Sequence, residues 1–305
     1  MNLKTLNAVA CGAHLAALGG VTLAFRNQPR RNRIVTTFRD AIDTDNPTPP
    51  NGCTSVDFPL KNVPAYELDP KEILQFYFGV SAAAHAFYAL DPGGVYSAAV
   101  ARGNNPFRWG EYALSAGSMM GLIAALDGNR DGNAVLMAAG SVAALNVLGN
   151  STESLLAQGP RHDYFAERPR GLNPPAVPKN PLYTATVVAW LLLFLSFFTT
   201  ISAFKKLLQD VDAIPDAPKP PSWLTYVSYT QLLYFCAFGA VQVMQLRDLW
   251  KQEAAMARGD AVSVRAFEDF ERMYILLSLA AKLTLGGFVT FGLLQRTSTC
   301  PDPTA

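Results

Sequence analysis

Hydrophobic residues along the chain gather into seven blocks, roughly residues 5–25, 73–90, 106–126, 133–149, 182–204, 222–246 and 273–294. Each is near the ~20 residues that an α-helix needs to cross ~30 Å of hydrocarbon. The pattern predicts seven membrane helices. Local punctuation supports it: Asn105-Pro106 and Asn180-Pro181 each set a capping side chain before a proline at the first helical position, and Ser222 is placed to cap the sixth block. Asp91-Pro92-Gly93-Gly94 stops the second. The first block follows Met1-Asn2-Leu3-Lys4 and resembles a secretory signal in its charge, but its length and the lack of a small-x-small cleavage site favour a retained helix.

Between the blocks the chain is polar. The loop from Arg26 to Lys71 is long, and its run Arg33-Ile34-Val35-Thr36-Thr37-Phe38 predicts a strand outside the bilayer. Asn46-Pro47-Thr48-Pro49-Pro50-Asn51-Gly52 predicts a turn or an extended stretch, because three prolines fix φ and withhold donors. Residues Asn150 to Asn180, rich in Pro, Arg and Asn, predict a surface loop, and Asn150-Ser151-Thr152 is a glycosylation sequon only on a luminal face. There is no internal repeat or second domain, so residues 1–305 read as one all-α membrane domain, a seven-helix bundle with a possible β-hairpin in its first loop.

Composition agrees: half the residues are hydrophobic and 16% are charged. A net charge of +1 gives no polybasic surface for nucleic acid. Lys and Arg divide evenly between the two faces, twelve to each, with Lys282 between them, so charge does not orient the protein. An odd number of crossings puts Cys53 and Cys300 on one face, as a disulfide if that face is oxidising or as two free thiols. Cys11 and Cys236 fall in apolar blocks and read as small buried side chains.

Within the blocks formal charge occurs at Arg108, Glu111 and Lys282. Arg108 lies in the first turn of its helix, where its side chain can snorkel to the interface. An ionised Lys at mid-membrane costs about 3 kcal/mol on insertion scales, so Lys282 needs a partner. Helix direction supplies one. Counting about 1.5 Å per residue from the N-terminal face puts His14 about 13 Å deep, Glu111 about 8 Å, Lys282 about 14 Å and His85 about 8 Å. Four polar groups from four helices therefore share one half of the bilayer. Ser115 and Ser278 stand four residues from Glu111 and Lys282, each on its partner's face. Taken alone, an intramembrane serine most often bonds its own helix, and a lone histidine is most often satisfied within the bundle. A buried ion pair is a poor source of stability, which favours function for Lys282 with Glu111.

A buried amine forms an imine with an aldehyde, and the protonated imine needs a carboxylate counter-ion. Retinal is the obvious aldehyde, and Met119, Trp190, Phe194, Tyr229, Phe235 and Gly286-Gly287 are available for its pocket. Aromatic stripes in membrane helices are more often plain packing.

Several stretches resemble heliorhodopsins. NPFRWGEYALSAGSMMGLIAAL (Asn105 to Leu126) is similar to their third helix and ERMYILLSLAAKLTLGG (Glu271 to Gly287) to their seventh, with further likeness in YFGVSAAAHAFYAL, CGAHLAALGG and AFGAVQVMQL. The resemblance implies that Lys282 carries all-trans retinal as a Schiff base, that Glu111 is its counter-ion with Ser115 and Ser278 beside it, and that His14 and His85 hold its released proton. It places Trp190, Met119 and Phe235 in the pocket. It also implies a cytoplasmic N-terminus, an external C-terminus, an external hairpin and a homodimer. Ala113 departs from the familiar motif, which has Ser after Glu-Tyr. Ordinary microbial rhodopsins carry an Asp where this chain has Ser278, and animal opsins carry an Asn-Pro-x-x-Tyr motif after the lysine that is missing here.

Pumping needs a proton acceptor and a donor on opposite sides of the site. With one acid within the blocks, the chain reads as a light sensor with an unknown signalling partner, and not as a pump or an enzyme. A light-gated proton or ion channel is the alternative, since the family resembled includes conducting viral members. A non-photochemical transporter or metal site built from His14, His85 and Glu111 is a third reading.

Overall fold

The computed structural model describes residues 1–26, 34–40, 61–157, 179–215, 219–258 and 265–299. In chain order these form α1 (Leu3–Ala24), the strands β1 (Ile34–Asp40) and β2 (Lys61–Leu68), α2 (Pro70–Leu90), α3 (Val95–Ala101), α4 (Pro106–Leu126), α5 (Gly132–Ala157), α6 (Lys179–Asp212), α7 (Ser222–Ala257) and α8 (Arg265–Thr299). All but the short α3 are long helices at the expected blocks. Helices α1, α2, α5, α6, α7 and α8 are long and apolar enough to cross a membrane. Helix α4 matches them in length with 21 residues, but carries Arg108, Glu111 and Ser115 on a buried face. It packs against α2, α5, α6 and α7, while α8 closes the bundle against α1. Large apolar side chains such as Leu191, Leu195, Phe198, Leu233 and Phe291 are exposed around the outside. That is the surface a lipid-embedded bundle presents.

Side-chain caps start three helices where the backbone donors would otherwise be unpaired. Asn2 Oδ1 accepts from Thr5 N at 2.8 Å, Asp69 Oδ1 from Lys71 N at 2.9 Å and Asn105 Oδ1 from Arg108 N at 3.3 Å. Two expected caps sit differently. Helix α6 begins at Lys179, so Asn180 lies in its first turn, and α7 begins at Ser222, with the carbonyl of Pro221 accepting from Leu224 N. After α2 the chain turns through Asp91, Gly93 and Gly94, all at positive φ, into α3. This helix lies in the expected second loop, and Asp91 caps it by accepting from Tyr96 N and Ser97 N. The Ser97 hydroxyl and Lys4 also bind Asp91, and together these contacts hold its carboxyl down at about 2.

Between α1 and α2 the strands pair antiparallel, from Ile34 opposite Leu68 to Asp40 opposite Lys61. The register slips between Thr36 and Thr37, where the partner is Pro64, which has no N–H for the ladder. Ile34 and Leu68 pack on a cluster that includes Met120 and Phe197, so the hairpin sits at the end of the bundle where α4 finishes. The first eight residues of the expected loop from Asn150 are helical, because α5 runs on to Ala157. The Asn46–Gly52 turn, Cys53 and Cys300 lie outside the described residues.

Without a hydrophobic drive between helices in lipid, small residues set how closely they approach. A Cβ on Gly117 would stand 3.2 Å from the carbonyl oxygen of Ala139, and one on Gly286 would meet the Phe78 ring at 2.6 Å. These contacts draw α4 onto α5 and α8 onto α2. They fix the distance across which the polar groups face each other.

Candidate functional site

Helices α2, α4 and α8 bring three polar side chains to one point. The Nζ of Lys282 lies 2.5 Å from Oε1 of Glu111, and the Ser81 hydroxyl donates to the same oxygen at 2.6 Å. Both charged side chains are buried. The amine also lies 5.2 Å from the centre of the Tyr112 ring, whose face attracts a cation. Tyr77 donates to the backbone oxygen of Lys282 at 3.3 Å, and Tyr112 to that of Tyr274 at 2.9 Å. The lysine-bearing helix is thereby tied to α2 and α4 on both sides of its amine.

Next to this pair stand the two histidines. His14 and His85 stack with ring centres 5.3 Å apart, both buried. His85 Nδ1 is 2.7 Å from Oδ1 of Asn7, whose amide nitrogen donates to the Leu3 carbonyl and to Tyr96. Asn7 Oδ1 can only accept, so a neutral His85 carries its proton on Nδ1 and presents Nε2 as an open acceptor. His85 Nε2 and both nitrogens of His14 have no hydrogen-bond partner among the described residues.

Beside the amine lies an apolar pocket, with Lys282 among its lining residues. Met119, Trp190, Phe235, Ser115 and Ser278 are in its lining, together with Tyr112, Leu193, Phe238 and Gly239. The Ser115 and Ser278 hydroxyls are buried, that of Ser115 without a partner among the described residues and that of Ser278 beside the Tyr112 hydroxyl. Apolar walls with a few polar groups among them suit an apolar ligand that the amine can anchor. Trp190 lies across Gly239, where a Cβ would stand 2.5 Å from the ring.

Three expectations for the pocket do not hold. Phe194 and Tyr229 are about half exposed on the outer surface, Phe194 stacking on the far side of Trp190. Gly286 faces Phe78 and Tyr77 and is not part of the lining. Helices α6 and α7 are apolar nearly all round, so sequence alone does not show which aromatics face inward.

Arg108 is also placed differently. It does not reach the interface but is buried, with its guanidinium on Glu153 at 2.6 Å and on Glu271, and 4.1 Å from the centre of the Tyr274 ring. Glu153 further accepts from Asn105 N, Trp109 Nε1 and Gln245 Nε2. Glu111 is therefore not the one buried acid. Glu153 and Glu271 were missed because both lie on helical turns beyond the apolar blocks. Ser81 was legible in principle, being four residues before His85 on the same face. Among the described residues no three His, Cys, Asp or Glu side chains stand close enough to hold a metal ion.

A family model of heliorhodopsins matches residues 3–294. The chain belongs to the heliorhodopsin family. Heliorhodopsins are retinal-binding, light-sensing membrane proteins, and the long apolar helices place this one in a lipid bilayer. No curated protein is similar enough to the chain to count as a match.

Proposed function

We propose that this heliorhodopsin is a sensory photoreceptor, with retinal on Lys282 and Glu111 as counter-ion, signalling to a partner protein and catalysing no reaction. The observation that carries the reading is the buried Lys282–Glu111 pair, with Lys282 also lining an apolar pocket. Retinal bound there supplies absorption of visible light and an isomerisation that moves the attached nitrogen. Glu111 balances the positive charge on that nitrogen, and Ser81 holds the carboxylate in place. Ser115 and Ser278 offer hydroxyls beside the amine, while Met119, Trp190 and Phe235 form the apolar walls. The open Nε2 of His85, with His14 stacked upon it, receives a proton released in this region. A cytoplasmic N-terminus, an external hairpin and C-terminus, and a homodimer complete the reading.

One observation favours the channel alternative. From His85 hydrogen bonds continue through Asn7 to Tyr96, which also lines a cleft open beside Asn2 and Lys4. Photocurrents under voltage clamp separate the two: a sensor passes none.

Expression with all-trans retinal tests the reading. It predicts a visible band that hydroxylamine bleaches, and a red shift or loss of the protonated form in Glu111→Gln, because a neutral amide no longer stabilises the cation. A colourless protein, or an unchanged spectrum in Glu111→Gln, contradicts it.

A further inference from the structure

At the far end of α4 a second acid is buried. Asp127 ends the helix, about 24 Å along its axis from Glu111 at 1.5 Å per residue, on the side of the hairpin. It has no exposed surface, and among the described residues its side chain has one donor, the Ser228 hydroxyl, 2.7 Å from each oxygen. Glu153 shows what a buried carboxylate in this protein otherwise collects: a guanidinium, an indole, an amide side chain and a backbone N–H. Asp127 has none of these.

Its position adds to the cost of a negative charge, since the C-terminus of a helix carries the negative end of the backbone dipole. Among the described residues, Arg130 and Asp131 in the following turn, Lys205 and Lys206 of α6, and Glu67 of the hairpin are exposed at the surface. Burial lifts the carboxyl to about 7, with Ser228 opposing. The hydrogen bonding accommodates both protonation states. Ser228 also lies 3.2 Å from the carbonyl of Leu224, and a hydroxyl has one proton to give. An ionised Asp127 takes that proton in a hydrogen bond. A neutral Asp127 donates its own to Ser228 Oγ, and Ser228 turns to Leu224.

From Ser228 the same face of α7 leads, one turn on, to Gln231. Gln231 is fully buried, its Nε2 donates to the carbonyl of Ala281 at 3.1 Å, and its Oε1 has no partner among the described residues. Ala281 directly precedes Lys282. A displacement of α8 at the lysine thus pulls on the glutamine, one turn from the hydroxyl that holds Asp127.

We propose that Asp127 is a proton-binding site on the hairpin side of the bundle, linked through Ser228 and Gln231 to the helix that carries Lys282. The protein would then hold protons on both sides of the lysine, at His14 and His85 towards the N-terminal face and at Asp127 towards the other. The link to light rests on the retinal reading; the proton site itself does not.

Infrared spectroscopy of the full chain in lipid nanodiscs tests it. In the dark, the wild type shows a carboxylic C=O band that disappears as the pH is raised past neutral and is missing in Asp127→Asn. In Ser228→Ala the band moves to higher frequency, which keeps the test valid should the first variant not fold. On illumination the band shifts in the wild type, and this shift is lost in Gln231→Leu while the dark band stays. Identical carboxyl regions in wild type and Asp127→Asn at all pH values overturn the proton site. A coloured pigment whose Asp127 band ignores light overturns the link. A protein that forms no pigment at all refutes the retinal reading, and the dark titration still decides on Asp127.

Discussion

The hydroxyl of Ser81 stands 2.6 Å from Oε1 of Glu111, the oxygen that also faces the Lys282 amine. A third helix thus holds the carboxylate in place between the other two. Hydrogen bonds to a charged group contribute about 1.5–3 kcal/mol. Ser81→Ala is expected to lower the temperature at which the pigment bleaches, while Ser81→Thr retains most of it. Equal thermal bleaching of wild type and Ser81→Ala would show that Glu111 is positioned without the serine.

Arg108 neutralises two buried carboxylates, Glu153 and Glu271, so its loss leaves both charges uncompensated. Removing one partner of a buried pair costs about 3–5 kcal/mol. Arg108→Leu is expected to unfold in mild detergent well below the wild type. Arg108→Lys should recover little, because an ammonium cannot reproduce the planar guanidinium between two acids and the Tyr274 ring. Thermal denaturation checks both.

Gly239 leaves room for the Trp190 ring on the pocket wall. In Gly239→Ala the new methyl group pushes the indole towards the pocket. Slower uptake of retinal and a shifted absorption maximum are expected, and adding Trp190→Leu should reverse much of the change. A double variant no closer to the wild type than Gly239→Ala would show that the two residues act separately.

Asp127 makes stability depend on pH in a definite direction. Its carboxyl titrates near 3.8 when unfolded and about 7 when folded, so the folded state binds the proton more tightly. The contribution is fully present below the unfolded value and is lost as the pH rises through 7. The thermal unfolding temperature should therefore fall across that range in the wild type, and Asp127→Asn should flatten this part of the profile.

How far the site was legible follows from geometry. Lys282, Glu111, His14 and His85 could be set at related depths because a membrane helix converts residue count into depth, and their facing one another followed from four helices sharing one half of the bilayer. Arg108 with Glu153 and Glu271 was hidden, because the apolar blocks end before the helices do. Asp127 was hidden for the same reason: one residue past an apolar block, a carboxylate looks like an ordinary helix end. Phe194 and Tyr229 show the opposite failure, since on a helix facing lipid an outward aromatic resembles an inward one.

The central claim is that the Lys282 nitrogen carries the chromophore. The most direct measurement is the visible absorption spectrum of Lys282→Ala beside the wild type, both expressed with all-trans retinal. A coloured wild type and a colourless variant is the result predicted here; a variant with the wild-type band would contradict it.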